Sequence, residues 1–139
     1  MNRTVSIILM SMLMFAVAVT LGCSSPSDPT VKWSGTVTIE GQPIPSDALG
    51  VIIVRSNSAS GSTRGDQAEI INGEYTLQNV PQGDVTVSFD IYKLIPAKDK
   101  MDADRGIEEK NILVPDRWAI GVTDTADKND SAKNFDLTK

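Results

Sequence analysis

Two residue counts limit the chemistry open to this chain of 139 residues: it has no histidine and a single cysteine, Cys23. Without imidazole it lacks the usual general base near neutral pH and the commonest metal ligand. Neither a Ser/His nor a Cys/His nucleophile pair can be built, and a lone thiol closes no internal disulfide. Carboxylates remain. Asp99, Asp102 and Asp104 precede Gly106, and Asp124, Asp127 and Asp130 recur at intervals of three. Hard cations want clustered oxygens, but neither run has the loop spacing with a closing bidentate Glu that marks an EF-hand. Both are therefore read as solvated acidic loops, with no metal and no cofactor. The acids sit mostly in loops with no sign of burial, so no catalytic pair is expected and the chain reads as a non-enzyme. Three aromatics are candidates for stacking on a sugar: Trp33, Tyr92 and Trp118. Trp33 shares its parity with Val37 and Ile39 and reads as core. Tyr92, outward on its strand, and Trp118, in a loop, are the possible ligand-contacting residues.

The segment around Cys23 gives the thiol a different purpose. Arg3 supplies a positive start, Val5 to Leu21 is almost wholly apolar, and Gly22 precedes the cysteine, as a secretory signal requires. Val19-Thr20-Leu21-Gly22-Cys23 resembles the lipobox of bacterial lipoproteins, with Thr20 in place of the usual Leu and Leu21 one position later. The resemblance implies a signal peptide over 1–22 and a mature protein beginning at a diacylglyceryl-modified Cys23. An anchor of two or three acyl chains is stable where one is marginal. It further implies a cell-envelope location, with Ser24, rather than the Asp that tends to mark inner-membrane retention, leaning toward the outer membrane. The alternatives are an ordinary signal peptide with a free thiol, or an uncleaved helix, although the apolar run falls short of the about 20 residues that span a bilayer. The Ser- and Pro-rich residues up to 30 complete a tether over 23–30 that holds a domain off the membrane.

The remaining chain, 31–138, must form one domain. Aromatics are few, at 5%, but β-branched residues and turn signals are frequent. Residues 32–40 alternate with period two, which predicts a strand with Val37 and Ile39 inward. Leu49–Val54 is a continuous apolar run, expected as a central strand with Val51 and Ile53 in the core. Residues 56–65 read as a loop. Gln67–Ile71, including Ile70, and Glu74–Asn79, including Leu77, are joined by Asn72-Gly73, a strong two-residue hairpin signal. Val85, Val87, Phe89 and Ile91 alternate inward along the clearest strand. Residues 93–113 read as an extended loop with a short helical turn as the alternative, the region of Trp118, Ile120 and Val122 as a further strand, and 134–137 as a closing one. The formal charge of −5 repels phosphate backbones and excludes nucleic acid as a partner class.

Ser34-Gly35-Thr36-Val37 with Gly41-Gln42-Pro43-Ile44, then Asn72-Gly73-Glu74-Tyr75-Thr76-Leu77 and Val80-Pro81-Gln82-Gly83-Asp84-Val85, resemble successive motifs of carboxypeptidase regulatory-like domains. Val114-Pro115-Asp116-Arg117-Trp118 and Asn134-Phe135-Asp136-Leu137 are similar to later motifs of short lipoproteins built from that domain. The resemblance implies an all-β fold: a single seven-stranded antiparallel sandwich of transthyretin-like type. The chain departs from the family at Thr123–Asp130, which is polar where an alternating apolar strand is usual, so a frayed last edge is expected. The family's ureide-ring hydrolase relies on histidines this chain lacks. What the resemblance implies for function is a membrane-anchored structural or interaction module of the envelope, bound to the membrane through Cys23 and to an envelope protein. The alternative is a carbohydrate-binding lipoprotein with a glycan ligand.

Overall fold

The computed structural model describes residues 29–58 and 64–139. The signal segment, Cys23 and the tether as far as residue 28 lie outside the described residues, as does the middle of the expected 56–65 loop. In chain order the strands are β1 (Thr30–Ile39), β2 (Gln42–Pro43), β3 (Leu49–Ser56), β4 (Gly65–Glu69), β5 (Glu74–Pro81) and β6 (Gly83–Pro96). A helical turn, α1 (Lys100–Asp104), leads to β7 (Glu108–Ile112), followed by α2 (Asp116–Ile120), β8 (Val122–Ala126) and β9 (Phe135–Asp136). The all-β character follows from these elements.

The strands form two sheets. In the first, β1 lies between β5 and the C-terminal segment, with β2 folded back on its end. Glu40 and Gly41, at φ 50° and 73°, make that return, and Gly41 has the freedom a left-handed turn demands. The second sheet runs β4-β3-β6-β7, and β8 pairs with the first half of β6 along the edge that β7 occupies further on. Among the described residues the strand pairings are antiparallel except β1 with β9, which is parallel, as is the isolated Trp33–Asp130 bridge beside it; this corrects the expectation of a wholly antiparallel sandwich.

One apolar core fills the space between the sheets. Trp33, Val37, Tyr75 and Leu77 come from the first; Ile52, Val54, Val85, Val87, Phe89 and Ile91 come from the second. Phe135, delivered by the two-residue β9, is the hub. Its ring centroid lies 5.3 Å from Phe89, 6.0 Å from Tyr75, 6.2 Å from Trp118 and 6.5 Å from Trp33. No polar or charged residue is buried among those described, so burial of apolar surface is what drives this assembly.

Several expectations need correction. Asn72-Gly73 does form a two-residue turn, with both φ positive and reciprocal bonds between Ile71 and Glu74. Yet β4 pairs with β3 and β5 with β1, so the turn is a corner between sheets and not the tip of a ladder. The Asp66 carboxylate links the diverging strands, accepting from the Gln78 and Asn79 amides at 2.8 Å each. On β3 the buried residues are Gly50, Ile52 and Val54, whereas Val51 and Ile53 point outward and are half-buried. Ile39 is also only half-buried, against the rim of the core. The stretch 93–113 is an extended loop only in part: β6 continues to Pro96, β7 returns along it, and between them α1 supplies the helical turn that was the alternative. The polar 122–126 stretch is a paired edge strand whose Ala126 faces the core and whose Asp124 meets Lys133 at 2.8 Å. That ion pair closes the sandwich on the side opposite Asp66.

Candidate functional site

The long β6 positions the most conspicuous surface of the domain. Residues of even number point away from the core, and past Asp90 they turn from polar to apolar at Tyr92 and Leu94. Tyr92 lies directly between Leu49 on β3 and Ile112 on β7. Directly opposed residues of a sheet share a face, so the three side chains form a row. Leu94 extends it along β6, and Val51 and Ile53 extend it along β3. Leu49, Leu94 and Ile112, grouped around Tyr92 on one face, are 51%, 46% and 54% exposed.

Charged groups hold the edges of this patch. The Lys110 ammonium sits 3.9 Å from the centre of the Tyr92 ring and 3.9 Å from the Asp90 carboxylate, a cation–π contact that covers part of the ring. Lys93, of the opposite parity and so not part of this face, meets Asp47 at 2.7 Å, and its hydrogen bond holds the Asp47 carboxyl below the usual carboxylate range. A shallow groove next to Tyr92 is lined by Ser46, Leu49, Val51, Glu69, Ile71 and Asn72. The outer face of the other sheet is a contrast: Ser34, Thr36 and Thr38 on β1 and Glu74, Thr76 and Gln78 on β5 offer only polar groups.

Tyr92 is thus outward and half-buried, as the alternation of its strand predicts. Trp118 is elsewhere. It lies in α2, not in a loop, and is 8% exposed. Its ring meets Phe89 edge-on at 5.7 Å, and its indole N–H donates to the Thr138 carbonyl at 3.1 Å. With face and edge both engaged inside the protein, Trp118 is a core residue, and it is not brought near Tyr92's row. Trp33, 2% exposed, is core as expected.

The acidic triplets have local duties. Asp99 caps α1, accepting from the Met101 amide at 2.8 Å. Asp102 faces Arg105, Asp124 faces Lys133, and Asp130 accepts from the Ala132 amide. Among the described residues no three acidic or thiol side chains converge on a point that could hold a metal ion. Burial, with help from the charges of Asp130 and Asp124, raises the pKa of the Tyr75 phenol, whose hydroxyl donates to the Lys133 carbonyl. That phenol is a structural tie within the sandwich.

Leu49, Leu94 and Ile112 were not anticipated as site residues. The signal existed: Tyr92 and Leu94 carry on the parity of Ser88 and Asp90, so an outer face that becomes apolar was already written into β6. Comparison with protein-family models, with curated proteins and with solved structures yields no match for this chain, and the meaning of the patch has to be drawn from its own residues.

Proposed function

We propose that this protein is a non-catalytic interaction module of the cell envelope, anchored to a membrane by acyl chains on Cys23 and presenting the Tyr92 face to a partner. The observation that carries the reading is the contrast between the two outer faces. One is polar along β1 and β5, with Pro43 and Ile71 only at its margins, and the other exposes a row of aliphatics around Tyr92 in its middle. Solvent-facing aliphatics in contiguous groups are costly to solubility and are found where something docks. The domain over 31–138 is taken as a transthyretin-like sandwich of the carboxypeptidase regulatory type. In support, its three motifs fall on β1, the corner opening β5, and the β5–β6 connection.

Two measurements test this. The mass of the membrane-extracted protein should exceed that of the unmodified chain from Cys23 onward, and Cys23→Ser should remove the excess and release the protein from the membrane. A crosslinked membrane pull-down should return a specific partner; recovery of an unacylated, cytosolic protein ends the anchored reading. A glycan ligand is the second reading, and it is favoured by one observation: Tyr92 is the only aromatic among the described residues that is not buried. It predicts that Tyr92→Ala loses affinity for envelope oligosaccharides while the fold survives.

A further inference from the structure

Size, charge and position together narrow what can cover the Tyr92 patch. The patch spans three strands at about 4.8 Å spacing and about four residues at ~3.3 Å along β3, a footprint of about 200 Å². A stable dimer of this chain needs ~800 Å² from each copy. The patch is too small for that, but it matches a short extended segment whose alternate side chains lie flat on the sheet.

The charges on the same outer face are Asp84, Asp90, Glu69 and Glu108 against Arg55 and Lys110. Acids outnumber bases by two, and the chain as a whole is at −5. Such a face repels anionic headgroups and attracts cationic groups.

Position leaves the patch accessible to other molecules. The Gln82 backbone amide donates to the Pro29 carbonyl at 3.0 Å, so the chain leading back toward Cys23 departs beside the start of β6. Tyr92 lies about 30 Å further along that strand. The peptide units between Cys23 and Thr30 reach at most about 25 Å, so an acylated Cys23 would have its attachment point at the start of β6 and not at the Tyr92 end.

We infer that the patch formed by Leu49, Tyr92, Leu94 and Ile112 docks an extended segment of a second protein in which apolar side chains are flanked by lysine or arginine. This rests on the interaction-module reading above. The test places photoreactive benzoylphenylalanine at Leu49, at Ile112 and, as a control, at Thr36 of the full chain, irradiated in native membranes. Leu49 and Ile112 should give the same single protein adduct and Thr36 none. The crosslinked peptide should combine aliphatic or aromatic residues with Lys or Arg. A synthetic copy of that peptide should bind the purified protein, about tenfold or more weakly when Leu49→Gln and Ile112→Gln are combined, and more weakly as salt is raised. An adduct with lipid, with glycan or with a second copy overturns the proposal, as does an adduct peptide without basic residues or no adduct at all. The fatty-acid mass reads the anchor independently, so loss of the anchor and loss of the docking site give different results.

Discussion

Replacing Trp118 by alanine separates a core residue from a ligand platform. The indole is 8% exposed, packs edge-on against Phe89 at 5.7 Å and Phe135 at 6.2 Å, and gives its N–H to Thr138. Truncating a buried aromatic to alanine costs about 3–5 kcal/mol. Because α2 is one helical turn on the flank of the core and can settle inward, the lower part of that range applies, about 3–4 kcal/mol. Trp118→Phe keeps a ring between Phe89 and Phe135 but gives up the N–H bond, at about 1 kcal/mol, with a little more for lost volume. Thermal unfolding followed by circular dichroism reads both: at ~4 °C per kcal/mol for a domain of this size, the alanine variant melts roughly 12–16 °C below the parent and the phenylalanine variant about 4–6 °C below. An alanine variant that melts within about 2 °C of the parent would refute the packing argument, and loss of ligand binding in so stable a variant would return Trp118 to the binding surface.

Three further outcomes follow from contacts elsewhere in the sandwich. Asp66→Ala leaves the Gln78 and Asn79 amides without their acceptor and should cost about 2 kcal/mol in urea unfolding, with Asp66→Asn in between; equal stability of all three would show the carboxylate is dispensable between β4 and β5. Gly35→Ala drives a Cβ into the Lys133 carbonyl and should destabilise by more than about 2 kcal/mol, with faster hydrogen exchange along 130–137 as the specific sign of a displaced C-terminal segment. Tyr75 has its phenol pKa raised above the ordinary 10.0, first by burial and then by Asp130 and Asp124. The fold therefore favours the protonated form. That contribution is complete below pH ~10 and is lost as pH climbs through the folded-state value. Tyr75→Phe should lower stability by about 1 kcal/mol at neutral pH and flatten the fall above pH 10; an unchanged alkaline profile would assign that fall to other groups.

What could be read from the sequence divides along a physical line. β1 and β6 alternate because one face of each is wet, so Val37, Val85, Val87 and Phe89 announced themselves. β3 carries apolar residues at both parities, and its pattern holds no information about which face is inner; Val51 and Ile53 were placed inside when Ile52 and Val54 are there. The Asn72-Gly73 turn is set by local backbone sterics and was legible, whereas the partners of β4 and β5 are set by distant strands and were not. Trp118 follows Pro115 in a single helical turn, too short to show a period of 3.6. β8 is hidden by Asp124, whose charge is met only when the chain turns back after β8 and brings Lys133 beside it. Tyr92 was found by parity, but its aliphatic neighbours Leu49 and Ile112 became neighbours only through the register of three strands.

The geometry of β6 has a mechanical consequence. Its beginning is held beside Pro29, the residue before β1, and its far end carries the Tyr92 patch. A load applied between those two ends would run along the direction of this strand. Sliding it against β3 requires the ladder from Leu49 to Ser56 to give way together, whereas a pull across the strands would open the same bonds one after another. The β3–β6 ladder therefore resists a pull along β6 more than one across it.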